Sequence, residues 1–98
     1  MITTSVSDSG STLTIHVKGR FDFNSATEFH NSYKDICDQH DCFIIDMEET
    51  EYIDSSALGA MLLLRDEVTD GEVSIMNAPE FAKRMFKSTL FDSLFKVE

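Results

Sequence analysis

Ninety-eight residues with 42% hydrophobic content can bury one core, and leave little room for a deep substrate cleft beside it. Eighteen acidic residues against 8 basic ones give a formal charge of −10, which disfavours nucleic acid and anionic membrane and points to a basic protein surface as partner. Cys37 and Cys42 form no CxxC pair, and neither a signal peptide nor an apolar run of about 20 residues is present, so free thiols in a reducing cytoplasm are expected.

Met1 to Val6 reads as a weak strand, followed by a turn at Ser7-Asp8-Ser9-Gly10-Ser11. Leu13 to Val17 alternates apolar and polar residues, which predicts a half-buried strand antiparallel to the first, with His16 exposed on the polar phase. Gly19 to Asn24 is expected to leave that strand and enter a helix. Ser25-Ala26-Thr27-Glu28 has the form of a capping box, and Ala26, Phe29, Tyr33, Ile36 and Cys37 then share one helical face. His30 and His40 lack the spacing to cysteines or carboxylates that a metal site needs, so no metal is expected. Cys42 to Met47 is a nearly continuous apolar run. It predicts a central strand covered on both faces and paired parallel to the strand before it. Asp46 ends this strand at the edge where α/β proteins gather functional groups, and Glu48-Glu49-Thr50-Glu51 reads as an acidic loop.

Tyr52 to Leu64 organises the rest. Asp54 or Ser55 can cap a helix whose first turn contains Ser56, where the positive end of the dipole would receive a phosphate. From Ala57 to Leu64 only Gly59 is not strongly apolar, so this helix is expected to be largely buried. Ala57, Met61, Leu64 and Val68 should face the sheet, with Ser56, Gly59 and Leu63 on the opposite side. Leu63 is then either a docking residue or one covered by neighbouring segments. Asp70-Gly71 reads as a turn and Glu72 to Met76 as the last full strand. Asn77 is expected to cap a further helix with Pro79 in its first turn, a buried stripe of Phe81, Ala82, Met85 and Phe86, and a solvated face of Lys83, Arg84 and Lys87. Leu90-Phe91 and Leu94-Phe95 should close the core. The alternation of strand and helix periods predicts one α/β domain over residues 1–98, with a mixed sheet of about four or five strands flanked by helices.

Three chemistries could be built on Ser56: a binding module switched by phosphorylation, a nucleophilic enzyme, or a nucleotide site. No G-x-S-x-G elbow surrounds Ser56 and no histidine is near it in sequence. No glycine-rich loop with a lysine follows a strand either. No catalytic residue and no cofactor is therefore expected, and the binding module is preferred.

Gly19-Arg20-Phe21-Asp22, Ile44-Ile45-Asp46 and above all Tyr52-Ile53-Asp54-Ser55-Ser56-Ala57-Leu58-Gly59 resemble the STAS family, the sulfate transporter and anti-sigma factor antagonist domain, over nearly the whole chain. The resemblance implies a bacterial regulator of transcription that binds a serine-kinase anti-sigma factor and so releases a sigma factor. It implies Ser56 as the phosphorylated serine, with a PP2C-type phosphatase reversing the modification, and Asp22 as an acidic residue of the same surface. Joined to the helix phases, it gives a partner-binding set of Asp22, Asp54, Ser55, Ser56, Gly59 and Leu63. Ala57 stands where the family usually has glycine, and its methyl is expected to narrow access to Ser56 slightly. Similar proteins serve other partner-switching outputs, such as secretion, motility or biofilm control. A nucleotide-binding STAS module remains a further alternative.

Overall fold

A computed structural model describes residues 1–68, 71–89 and 95–98. In chain order its elements are β1 (Ile2–Ser7), β2 (Thr12–Val17), β3 (Gly19–Phe21), α1 (Phe23–Asn31), β4 (Cys42–Asp46), β5 (Thr50–Ile53), α2 (Ser55–Glu67), β6 (Glu72–Met76), α3 (Glu80–Ser88) and β7 (Lys96–Val97). A mixed five-stranded sheet has the order β1-β2-β4-β6-β7, antiparallel only between β1 and β2. β3 and β5 form a separate two-stranded parallel ribbon.

Strand period two sorts the sheet into two unlike faces. The rows Leu13-Phe43-Val73 and Ile15-Ile45-Ile75-Val97 run across one face, where the helices supply Phe29, Ala57, Met61, Leu64, Ala82 and Phe86 to a single core. The rows Thr14-Ile44-Ser74 and His16-Asp46-Met76 lie on the other face and are only half-buried. The expected cover on both sides of β4 is thus absent among the described residues. Its apolar run reads as doubly covered, but Ile44 stands between two polar neighbours that only the register brings to it.

Several expected boundaries move. Gly19, at φ +82° in the left-handed region, turns the chain straight from β2 into β3 rather than into a helix. Asp22 caps α1, and the Ser25 hydroxyl instead donates to the Arg20 carbonyl at 2.8 Å. α1 ends at Asn31, so Tyr33, Ile36 and Cys37 follow in successive turns, Tyr33 still fully buried. Part of the expected acidic loop is β5, where the buried Thr50 hydroxyl donates to the Val17 carbonyl at 2.8 Å. Strands as short as β3 and β5 give alternation too few residues to register. α2 is fully buried only along Ala57, Met61 and Leu64; Leu58, Ala60 and Leu62 are half-buried, and Val68 lies just beyond its end. Asn77 adopts φ +59° two residues before the N-cap of α3, which is Pro79. Of α3's expected stripe, Ala82 and Phe86 are buried and Phe81 and Met85 half-buried, while Lys83, Arg84 and Lys87 are exposed. Asp70, Leu90, Phe91 and Leu94 lie outside the described residues, whereas Phe95 is buried. No helix among the described residues is long and apolar enough to cross a membrane.

Candidate functional site

The ribbon sets the site. β3 and β5 are parallel with Phe21 opposite Ile53, both buried, so Asp22 and Asp54 leave their strands side by side. Each then caps the helix that follows, from almost the same extended backbone: φ −131° and ψ −167° at Asp22, φ −134° and ψ −173° at Asp54. The Asp22 carboxylate accepts from the Asn24 N–H at 3.0 Å. A single oxygen of Asp54 accepts from the Ser56 N–H at 2.9 Å and the Ala57 N–H at 3.2 Å. Of the two caps the sequence leaves open, Asp54 is the one used; Ser55 is the exposed first residue of α2. Ser56 follows it, half-buried, in the turn where free N–H groups and the dipole favour negative charge. Ala57 is fully buried on the sheet side, so its methyl points into the core and does not narrow access to Ser56.

Two aromatic side chains, Phe23 and Tyr52, are exposed around these residues. Phe23, directly after the Asp22 cap, is 76% exposed. Arg20 pairs with Asp22 (Nε to Oδ2, 3.3 Å) and lays its guanidinium 4.0 Å above the Tyr52 ring. Farther along α2, Gly59 is exposed and a Cβ placed on it would meet nothing within 4 Å. Leu63 is 43% exposed, so it is not a core residue. Ala26, Thr27 and His30 of α1 face Gly59, Ala60 and Leu63 of α2 across a groove of about 340 Å³. A contact between His30 Nε2 and Glu67 Oε1 at 3.3 Å ties the C-terminal ends of the two helices. Tyr33, edge-on to His30, is buried with its hydroxyl near Glu67; burial first, then the Glu67 carboxylate, pushes the phenol above its ordinary range.

Asp22, Asp54, Ser55 and Ser56 thus gather at the N-terminal ends of α1 and α2, and Gly59 and Leu63 continue along α2. Sequence reasoning missed Phe23, the Arg20–Tyr52 stack and the α1 wall of the groove. Phe23, Thr27 and His30 at i, i+4 and i+7 carried a readable signal, a second stripe on α1 away from the one containing Phe29.

A polar network crosses the open face of the sheet. The Ser5 hydroxyl lies 2.9 Å from His16 Nε2, and His16 Nδ1 lies 3.1 Å from Asp46 Oδ2. The other Asp46 oxygen accepts from Asn77 Nδ2 and the Glu48 N–H, each at 3.1 Å. Partial burial raises the Asp46 pKa, but the bonds from Asn77, Glu48 and His16 outweigh it and hold the carboxyl below its usual range. His16 is therefore a link between three strands, a role invisible until β1 and β4 flank β2. Among the described residues no three His, Cys, Asp or Glu side chains come together to hold a metal ion.

The family model of the STAS domain matches residues 3–98. The chain belongs to the STAS family. A STAS-domain-containing protein of Pseudomonas aeruginosa is 34% identical over 98 residues, covering 98% of this chain and 97% of that relative. Among solved structures, an anti-sigma factor antagonist from Mycobacterium paratuberculosis matches with a TM-score of 0.84 at 19% identity, over 99% of this STAS chain and 85% of that one. The antagonist SpoIIAA of Bacillus matches in its unphosphorylated form with a TM-score of 0.79 (16% identity, 100% of this chain and 87% of that one). Its phosphorylated form matches at 0.78 (15% identity, 100% and 91%). At these identities the likeness is one of fold.

Proposed function

We propose that this STAS protein is a regulatory binding module rather than an enzyme, and that phosphorylation of Ser56 controls its partner. The observation that carries this reading is the placement of half-buried Ser56 in the first turn of α2, at a helix-pair end where Asp22 and Asp54 stand in adjacent register. A phosphoryl group adds about −1.5 to −2 charges, which a helix N-terminus tolerates within the domain. The near-equal fit of this backbone to both forms of SpoIIAA supports a fold that carries such a group without rearranging.

Disruption is then local. Phosphate beside two carboxylates brings bulk and charge into a contact that a partner must desolvate. A loss of about 3 kcal/mol there weakens affinity more than a hundredfold. The unmodified protein binds an anti-sigma-type serine kinase in the cytoplasm, the kinase modifies Ser56, and a PP2C-type phosphatase restores it. Sigma-factor release is the output favoured by the antagonist neighbours, with biofilm, motility or secretion control as the alternative for the same switch. Incubation with ATP and candidate serine kinases, followed by mass-spectrometric mapping, should place the phosphate on Ser56. Phosphate on Ser55, or none with any such kinase, contradicts the reading.

A further inference from the structure

The apolar groove between α1 and α2 is shaped for one kind of occupant. Its lining joins the small residues Ala26, Gly59 and Ala60 to Thr27, His30 and Leu63. Phe23 falls on the same stripe of α1 as Thr27 and His30, and Ser56 on the same stripe of α2 as Gly59, Leu63 and Glu67. Ser56 therefore stands at the head of the groove, and the His30–Glu67 pair at its foot. On α2 the lining runs from Gly59 to Leu63, with Ser56 about one helical turn before it and Glu67 about one turn after.

We infer that this groove receives a basic amphipathic helix of a partner protein, apolar residues at i, i+3, i+4 and i+7 against the small residues of the lining and Lys or Arg along its flanks. Charge complementarity selects it. The chain carries −10 overall; Asp54 stands at the head beside the Arg20-paired Asp22, and exposed Asp66 stands at the foot beside Glu67, which contacts His30. A second copy of this chain brings the same −10 and is repelled. The absent side chain at Gly59 lets the incoming helix approach the α2 backbone closely, and Phe23 is left as a bulky anchor beside its end.

This names the partner element for the surface proposed above and rests on that reading: a helix seated in the trough meets Ser56 at its end, so the bulk of a phosphate there and the cost of desolvating it oppose seating and must exceed the pull of its charge on the basic flanks. Gly59→Leu fills the trough from an exposed, unobstructed position, leaving the core untouched. The test is an NMR titration of the full-length protein with a synthetic Lys/Leu amphipathic peptide of about 15 residues and with its Glu/Leu counterpart. The Lys/Leu peptide should shift the amides of Ala26, Thr27, Gly59, Ala60 and Leu63. Its affinity should fall at least roughly tenfold in Gly59→Leu, and the Glu/Leu peptide should leave those amides unmoved. Shifts centred on the open sheet face or on α3, or unchanged affinity in Gly59→Leu, would overturn the inference. A phosphorylated Ser56 protein run alongside separates the two readings: block by Gly59→Leu without block by phosphate supports the groove and leaves the switch to titration of the kinase itself.

Discussion

The chain builds the same device twice and uses it differently. In β3–α1 and β5–α2 a short parallel strand ends on a buried apolar residue, turns at a capping aspartate, and starts a helix. After Asp22 come Phe23 and Asn24; after Asp54 come Ser55 and Ser56. α2 has two N–H groups satisfied by its cap and three residues wholly buried, while α1 has one such bond and buries only Phe29 within its 9 residues. The better-anchored unit thus carries the hydroxyl, and the lighter one carries the exposed aromatic and the arginine pair. In the proposed switch the charge is added to the first, and the second offers contact area beside it.

The largest effects should be equal between the two units, because both end in the same core. Phe29→Ala and Met61→Ala are each expected to lower stability in urea by about 2–5 kcal/mol. A loss under about 1 kcal/mol for Phe29→Ala would mean that α1 is not anchored as its burial implies. The caps should then separate the units. Asp54→Ala is expected to cost about 1–2 kcal/mol and Asp22→Ala about 0.5–1 kcal/mol, with Ser55→Ala within about 0.5 kcal/mol of wild type. Equal losses for the two aspartates would erase the distinction drawn from their bonding.

Outside both units, the Asp46 carboxyl offers an internal reference. Its folded pKa is depressed, so its contribution is present above the ordinary carboxylate value and disappears as pH falls through the folded one. Asp46→Asn should flatten the acid side of the stability profile; an unchanged acid limb contradicts the network around His16. The smallest shifts belong to the groove side of α2. Leu63→Ala should move the melt by no more than about 0.5 kcal/mol, and Gly59→Ala should raise stability by up to about 1 kcal/mol through helix propensity. A large loss at Leu63 would return it to the core.

The difference between the units also explains what the sequence could disclose. Tyr52 to Leu64 was legible because a long helix repeats its phase: Ala57, Met61 and Leu64 fall inward and Gly59 and Leu63 outward, as periodicity requires. β3 and β5 were not, since Gly19–Phe21 and Thr50–Ile53 hold their place by pairing with each other and not by any local pattern. The cap of α1 is hidden in the sequence for a related reason. Ser25 and Glu28 fit a capping box, yet Asp22 comes earlier and is fixed by the register of its strand. Ser5, His16, Asp46 and Asn77 meet only through tertiary contact, and no spacing announces them.

The most direct test of the Ser56 switch is a calorimetric titration of the kinase found by phosphate mapping, in its nucleotide-free form, into unmodified and Ser56-phosphorylated protein. The account predicts binding to the unmodified form and affinity lower by about a hundredfold or more for the phosphorylated form, with superimposable circular dichroism spectra. Equal affinities for the two forms would contradict it.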